Sequence, residues 1–250
     1  MRAYLTLTRR ELASFFLSIT GYVLIAGLAF VVGLVFYLTL IAQGTQPVSI
    51  PITQVFFNSL VLWIVIVLTP CVITMRLFAL ERATGTFETL TTTPVTDLQI
   101  VAAKFTASVI FFAVMWLPSV GYLFIIQHYA HQPGALDTGT VCSMYLGVFL
   151  VGCFVISVGC FASAMTKSQV LAAMVTLVAG IALLILHFLA TLIPANGHWQ
   201  AEVLSFFNIA QQMLDFTRGV LDTRVIIFYL SVTFFFLFLT LRVIESRRWK

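Results

Sequence analysis

Residues 17–42 read LSITGYVLIAGLAFVVGLVFYLTLIA, an apolar run with no charged side chain. A helix crosses the hydrocarbon core of a bilayer with about 20 such residues, and this stretch has more than enough. It sits inside a longer run, residues 12–75, in which 64 consecutive positions lack Asp, Glu, Lys and Arg. Across the whole chain of 250 residues, 61% are hydrophobic and 9% are charged. An ordinary soluble domain carries about 25% charged residues. A water-soluble fold cannot enclose that much apolar surface, so the sequence calls for a bilayer as its solvent. The opening Met1-Arg2 and Arg9-Arg10-Glu11, followed by an apolar run, have the outline of a signal peptide. The run far exceeds the ~7–15 residues of a signal h-region, and is read as a retained membrane helix.

Working outward, six segments are long enough to span: residues 17–42, 56–75, 105–127, 141–164, 170–193 and 225–243. The expected fold is an all-α polytopic membrane protein forming one transmembrane domain over residues 1–250. A Gly/Pro turn at 43–51 separates the first two spans, and Pro133-Gly134 marks the turn between the third and fourth. Thr166 and Gln169 have the spacing of a capping box, which predicts Thr166 as N-cap of the fifth span. Thr96 and Gln99 form a second such pair, with Asp97 favourable at the same helix start. Pro70 and Pro118 lie inside spans, where kinks are expected.

Basic residues set the orientation. With both termini in the cytoplasm, 11 of the 13 Lys and Arg residues fall inside, and only Arg218 and Arg224 fall outside. This is the positive-inside pattern. The net charge of +4 is scattered over segment ends. No basic stripe interleaved with aromatics is present, so nucleic acid is not an expected partner. Cys71, Cys142, Cys153 and Cys160 sit in apolar runs without C-x-x-C spacing. They read as small buried hydrophobes rather than a disulfide framework.

The charged interruption that follows residue 75 bears on function. Residues 78–93, FALERATGTFETLTTT, end at Pro94. At about 100° per residue, Glu81, Gly85, Glu88 and Thr92 share one helical face, and Ala79, Leu80, Ala83, Phe87 and Leu90 the other. The wheel thus offers the carboxylates to the cytosol. Gly85 either weakens this helix or ends it and lets another begin at an angle. The segment is a solvated connection or a docking helix for a cytoplasmic partner, and composition alone does not choose.

Residues 74–105, TMRLFALERATGTFETLTTTPVTDLQIVAAKF, resemble the signature of permease subunits of type-2 ABC exporters. They are most similar to the gliding-motility-associated branch. The likeness rests on Glu81-Arg82, Thr84-Gly85-Thr86, Glu88 and Pro94-Val95-Thr96-Asp97. Leu80 stands where many relatives carry an acid. Phe216-Thr217-Arg218-Gly219-Val220-Leu221-Asp222, Glu245 to Trp249 and Gly21-Tyr22 extend the likeness over nearly the whole chain. What the resemblance implies is a coupling segment at 81–94 that sits in a groove of a separate ATPase. Glu81, Arg82 and Glu88 would make polar contacts there, flanked by Thr84 and Thr86. Gly85 would permit close approach, and Pro94 would fix the exit turn.

The chain has no G-x-x-x-x-G-K-[ST], so it lacks a backbone nest for ATP phosphates. The resemblance therefore assigns ATP and Mg to the partner ATPase, in two copies, and no cofactor or metal to this chain. Six spans make half of an exporter pathway, which implies a second permease, identical or different, in the cytoplasmic (plasma) membrane. Lipid is a further expected partner, and an extracytoplasmic auxiliary protein is admitted. The alternative is a non-transporting module that uses the same ATPase to pull on such an outer partner. An embedded enzyme finds little support, since H-E-x-x-H, G-x-S-x-G and an intramembrane Asp pair are all missing. His128 and His131, three apart, are weak as metal ligands, and His187 has no acidic partner in its segment.

Residues 194–224 form the longest outer connection. Val203, Phe206, Phe207, Ala210, Met213 and Leu214 recur at helical spacing, with Asn208, Gln211, Gln212 and Asp215 on the other side. Such a helix lies on the membrane surface or dips into it. The resemblance favours a re-entrant helix within 199–217 that shapes an outer gate, with Phe207, Asp215, Phe216, Arg218, Gly219 and Asp222 in or beside it. Span interiors with almost no ionisable groups argue against proton or ion pathways. They suit an amphiphilic or lipid-linked substrate, or force transmission.

Overall fold

The structure, a computed structural model, describes residues 2–43, 52–86, 95–129, 138–192 and 209–248. Ten helices occur among them: α1 (Arg2–Phe16), α2 (Ile19–Gln43), α3 (Ile52–Phe57), α4 (Leu60–Thr74), α5 (Ala79–Ala83), α6 (Asp97–Tyr129), α7 (Thr138–Met165), α8 (Gln169–Leu192), α9 (Ile209–Thr217) and α10 (Thr223–Arg248). The described residues include no strand. Six stretches are long and apolar enough to cross a membrane: Ile19–Ala42, Leu60–Ala83, Asp97–Phe124, Gly139–Met165, Gln169–Leu186 and Thr223–Ser246. At about 1.5 Å per residue, the first measures about 36 Å, against a hydrocarbon core of about 30 Å. The chain is an all-α, multi-pass membrane protein.

Boundaries shift where the local chemistry demands it. The second span starts at Leu60 rather than 56, because Asn58 and Ser59 break the helix after Phe57. Phe56 and Phe57 pack instead in a short separate turn, edge-on to Phe36 (5.8 Å) and Tyr145 (6.0 Å) respectively. The capping box at the start of α6 forms reciprocally: the Thr96 amide donates to Gln99 Oε1 and the Gln99 amide to Thr96 Oγ1, both at 3.4 Å. The expected box before α8 does not form. Thr166 Oγ1 donates to the carbonyls of Ala162 (3.4 Å) and Ser168 (3.2 Å), and Ser168 Oγ accepts from the Leu171 amide at 3.5 Å. A serine one residue before the helix outcompetes a threonine already engaged by α7. Both α4 and α6 run on through Pro70 and Pro118.

Helix α7 is the centre of the bundle, packed against α4, α6, α8, α9 and α10. A Cβ on Gly159 would lie 2.1 Å from Thr74 Oγ1, so the Thr74 side chain of α4 seats directly on the backbone of α7. Helices α2, α8 and α10 lie outside, with exposed apolar side chains such as Phe30, Val178 and Phe234. In water these faces would cost stability, whereas lipid tails or another apolar helix suit them.

Helix α1 has no counterpart in the sequence reading. Tyr4, Thr8, Glu11 and Phe15, at successive helical turns, face inward. Phe15 stacks on Phe111 at 4.8 Å, and the Tyr4 hydroxyl donates to Thr106 Oγ1 at 2.8 Å. Helix α1 thus lies against α6. The chain breaks at residues 17–18 and turns sharply into α2. A Cβ at Gly21 would approach the Phe15 carbonyl oxygen to 2.0 Å, so this corner needs glycine.

Candidate functional site

The residues quoted from the charged interruption gather where α1, α5, α6 and α7 meet. Helix α4 ends at Thr74, whose hydroxyl donates to the Pro70 carbonyl at 2.8 Å. A turn follows, and Phe78 and Ala79 are fully buried. The first amides of a short helix have no partner within it. Here Ser163 Oγ, on α7, accepts from both the Phe78 and Ala79 amides at 3.1 Å. One turn later, Arg82 Nη1 donates to the Ala164 carbonyl near the end of α7. Helix α5 is therefore tied to α7 at both its ends.

Gly85 adopts φ +74°, the left-handed conformation that ends a helix at low cost only for glycine. Of the two outcomes the sequence leaves open at Gly85, the structure takes helix termination. Thr84 Oγ1 donates to the Leu80 carbonyl at 3.0 Å, and Thr86 Oγ1 to the Glu81 carbonyl at 3.3 Å. These hydroxyls finish the turn. Glu88 and Pro94 lie outside the described residues.

Glu81 departs from its place on the wheel. Its Oε1 is 2.9 Å from Lys104 Nζ and 3.3 Å from Arg10 Nη2. Glu11 Oε1 meets the same two cations, at 3.2 Å from Lys104 and 2.8 Å from Arg10. The four side chains close a ring that joins α1, α5 and the start of α6. Lys104 is the reason Glu81 turns inward. Its side chain is 3% exposed, and a buried ammonium needs countercharge. The Phe78 ring lies beside it, with Nζ 5.4 Å from the centroid. The second oxygen, Glu81 Oε2, is buried and has no hydrogen-bond partner. Neither Glu11 nor Lys104 was among the sequence candidates, because their pairing crosses 93 positions (104 minus 11) and leaves no local pattern.

Beside the ring, a cavity of about 910 Å³ opens between the end of α1, the first turns of α2 and the end of α4. Val23, Leu24, Val72, Ile73 and Leu80 give it apolar walls, and Arg10 and Arg76 also line it.

At the other end of the bundle, α9 packs against α7. Phe216 and Met213 are buried, and a Cβ on Gly147 would meet the Met213 sulfur at 2.7 Å. Ser143 Oγ donates to the Phe216 carbonyl at 2.5 Å. Gln212 belongs to the buried side, contrary to its position on the expected polar face. Tyr229 of α10 donates to its Oε1 at 2.8 Å, which satisfies an amide that would otherwise favour water. Gly219, at φ +75°, closes α9, and Asp222 Oδ1 accepts from the Arg224 amide at 2.8 Å at the start of α10. Asp215 is half-buried and Arg218 exposed. Phe207 lies outside the described residues.

Among the described residues no three His, Cys, Asp or Glu side chains gather as a metal site. His131 and the side chains of His128 and His187 lie outside the description. Cys71 and Cys160 are buried and Cys153 half-buried, while Cys142 is exposed near the start of α7, against the expectation for it. All four are free thiols.

Comparison with curated proteins finds no match for the chain. A family model described as ABC-2 family transporter protein matches residues 17–183, which is more than half of the sequence. Members of that family are membrane components of ABC transporters without ATPase motifs of their own. The match runs from the corner before α2, across the charged ring's Glu81 and Lys104, into α8. With six apolar helices and this match, the chain belongs to the ABC-2 family of transporter proteins.

Proposed function

We propose that this permease component couples ATP hydrolysis in a separate ATPase subunit to export of a substrate across the cytoplasmic membrane. Residues 81–94 receive the motion. The observation that carries the reading is the double attachment of α5, to α7 through Ser163 and Arg82 and to α1 and α6 through Glu81. A force applied to α5 reaches three other helices through these direct contacts. Glu81 and Arg82 keep their part in coupling by holding the segment to the bundle. Glu88, Gly85 and Pro94 are assigned to the ATPase face on the strength of the sequence likeness, which also favours the gliding-motility-associated branch.

In this reading two ATPase copies bind ATP and Mg, and two permeases complete the pathway. The end bearing Arg10, Arg76, Arg82, Lys104 and Lys167 faces the cytoplasm, in keeping with the positive-inside rule. Helix α9 is assigned to the outer gate as a re-entrant element. Its support is depth: Gly147, which receives Met213 and Phe216, stands nine residues into α7, about 13 Å from that helix's start.

The test is co-purification with an ABC ATPase subunit co-expressed from the same genome, with hydrolysis measured for wild type and Glu88→Arg. Stable association and stimulated hydrolysis, with transport lost in the variant, support the reading. Failure to associate with any ATPase, or normal transport by Glu88→Arg, overturns the coupling role. Full ATPase coupling with no cargo crossing would instead identify a force-transmitting module.

A further inference from the structure

The cavity beside the charged ring is not accounted for by coupling. It lies where α1, which does not span, meets the first turns of α2, so it opens at the level where a bilayer changes from tails to headgroups. Its walls are apolar and its polar rim is cationic. The ring's charges cancel: Arg10 and Lys104 are positive, Glu11 and Glu81 negative, and all four line the cavity. Arg76 remains. Its guanidinium donates to Thr20 Oγ1 at 3.2 Å, and among the described residues no carboxylate lies within ion-pair distance of it. A cation with no counter-ion among the described residues, at the mouth of an apolar cavity, is the complement of an anionic head on an apolar tail.

We infer that this cavity holds a membrane lipid with an anionic phosphate headgroup, the phosphate at Arg76 and the adjoining acyl chain along Val23, Val72 and Leu80. The inference rests on the orientation proposed above, because anionic lipids are concentrated in the cytoplasmic leaflet. The volume of about 910 Å³ is at the upper end of small-ligand sites, which run to about 1,000 Å³, and leaves room for a headgroup with the first part of a chain. Thr20, already bonded to Arg76, fixes the guanidinium at the mouth. Neutrality of the ring matters equally. An unbalanced Glu11 or Glu81 would repel the phosphate from the same cavity.

The experiment uses the purified full chain in phosphatidylcholine vesicles. The fraction of motionally restricted spin-labelled phosphatidylglycerol is compared with that of spin-labelled phosphatidylcholine. A basic side chain at an anionic surface is worth a factor of about five in binding, so wild type should select phosphatidylglycerol about five-fold. Arg76→Gln should lose that preference, and Arg76→Lys should keep most of it. Arg242→Gln, at a basic residue paired with Glu245 on α10, should leave it unchanged. Val23→Trp, which fills the cavity without touching the charge, should lower restriction of the anionic probe. No headgroup preference in wild type overturns the inference, as does equal preference in wild type and Arg76→Gln. Displacement of the probe by millimolar inorganic phosphate in detergent would assign the site to a soluble anion and overturn the lipid. None of these readouts involves ATP hydrolysis, so the lipid site and the coupling role stand or fall separately.

Discussion

Ser163 holds Phe78 by its backbone: one hydroxyl oxygen accepts the amides of Phe78 and Ala79, each at 3.1 Å. The two residues are 85 positions apart, Phe78 in the turn before α5 and Ser163 near the end of α7. Loss of a side-chain cap costs about 1 kcal/mol, and this hydroxyl serves two buried donors at once. Ser163→Ala should therefore lower the melting temperature in detergent modestly. ATPase association should survive, while stimulation of hydrolysis or transport falls. Equal coupling in Ser163→Ala and wild type would remove α7 from the transmission path.

The charged ring makes a sharper prediction. Lys104→Met leaves Glu11 and Glu81 side by side with only the half-exposed Arg10 to balance them. Breaking a buried pair by removing one partner costs about 3–5 kcal/mol. The variant should melt markedly earlier, and Lys104→Met with Glu81→Gln should recover a large part of the loss. Failure of the second change to restore stability would mean that Lys104 acts by packing against Phe78 rather than by charge.

The corner at Gly21 can be read by cross-linking. Tyr4 and Thr106 touch through their hydroxyls at 2.8 Å, so cysteines at these two positions, set apart by the length of the lost phenol ring and beyond direct disulfide reach, should be joined readily by a short bis-maleimide cross-linker. Gly21→Val forces the backbone away from the Phe15 carbonyl. The same cysteine pair should then cross-link several-fold more slowly, because α1 leaves its seat on α6. An unchanged rate would show that the corner adjusts elsewhere.

The outer end tests burial of a polar pair. Tyr229→Phe takes the Tyr229 donor from the buried Gln212 Oε1, a cost of about 1–3 kcal/mol. Adding Gln212→Leu removes that buried acceptor and should restore most of the stability. If Tyr229→Phe alone is neutral in a detergent melt, water reaches Gln212 and α9 is less enclosed than its contacts with α7 indicate.

The six spans were legible because each must supply about 20 apolar residues without interruption, and few other folds impose that. The capping box at Thr96 was legible for a related reason: it is local, set by residues within one turn, whereas at Gly85 the sequence left termination as one of two outcomes. Helix α1 was hidden because its buried face carries Thr8 and Glu11, which read as solvent-facing until Lys104 is brought beside them. The inward turn of Glu81 was hidden in the same way. A helical wheel knows only the residue's own helix, and the cation that recruits this carboxylate comes from another. Ser163, one serine in an apolar span, gives no sign in sequence that it caps a helix.

The ring also has an electrical meaning. Moving one elementary charge across a membrane potential takes about 2.3 kcal/mol per 100 mV. Arg10, Glu11, Glu81 and Lys104 sum to zero, and the span interiors at 105–127, 141–164, 170–193 and 225–241 hold no charge at all. A displacement of these four side chains together carries no net charge along the field. The ring's own share of the electrical work is therefore zero, and its pairing is the same in an energised cell and a depolarised one.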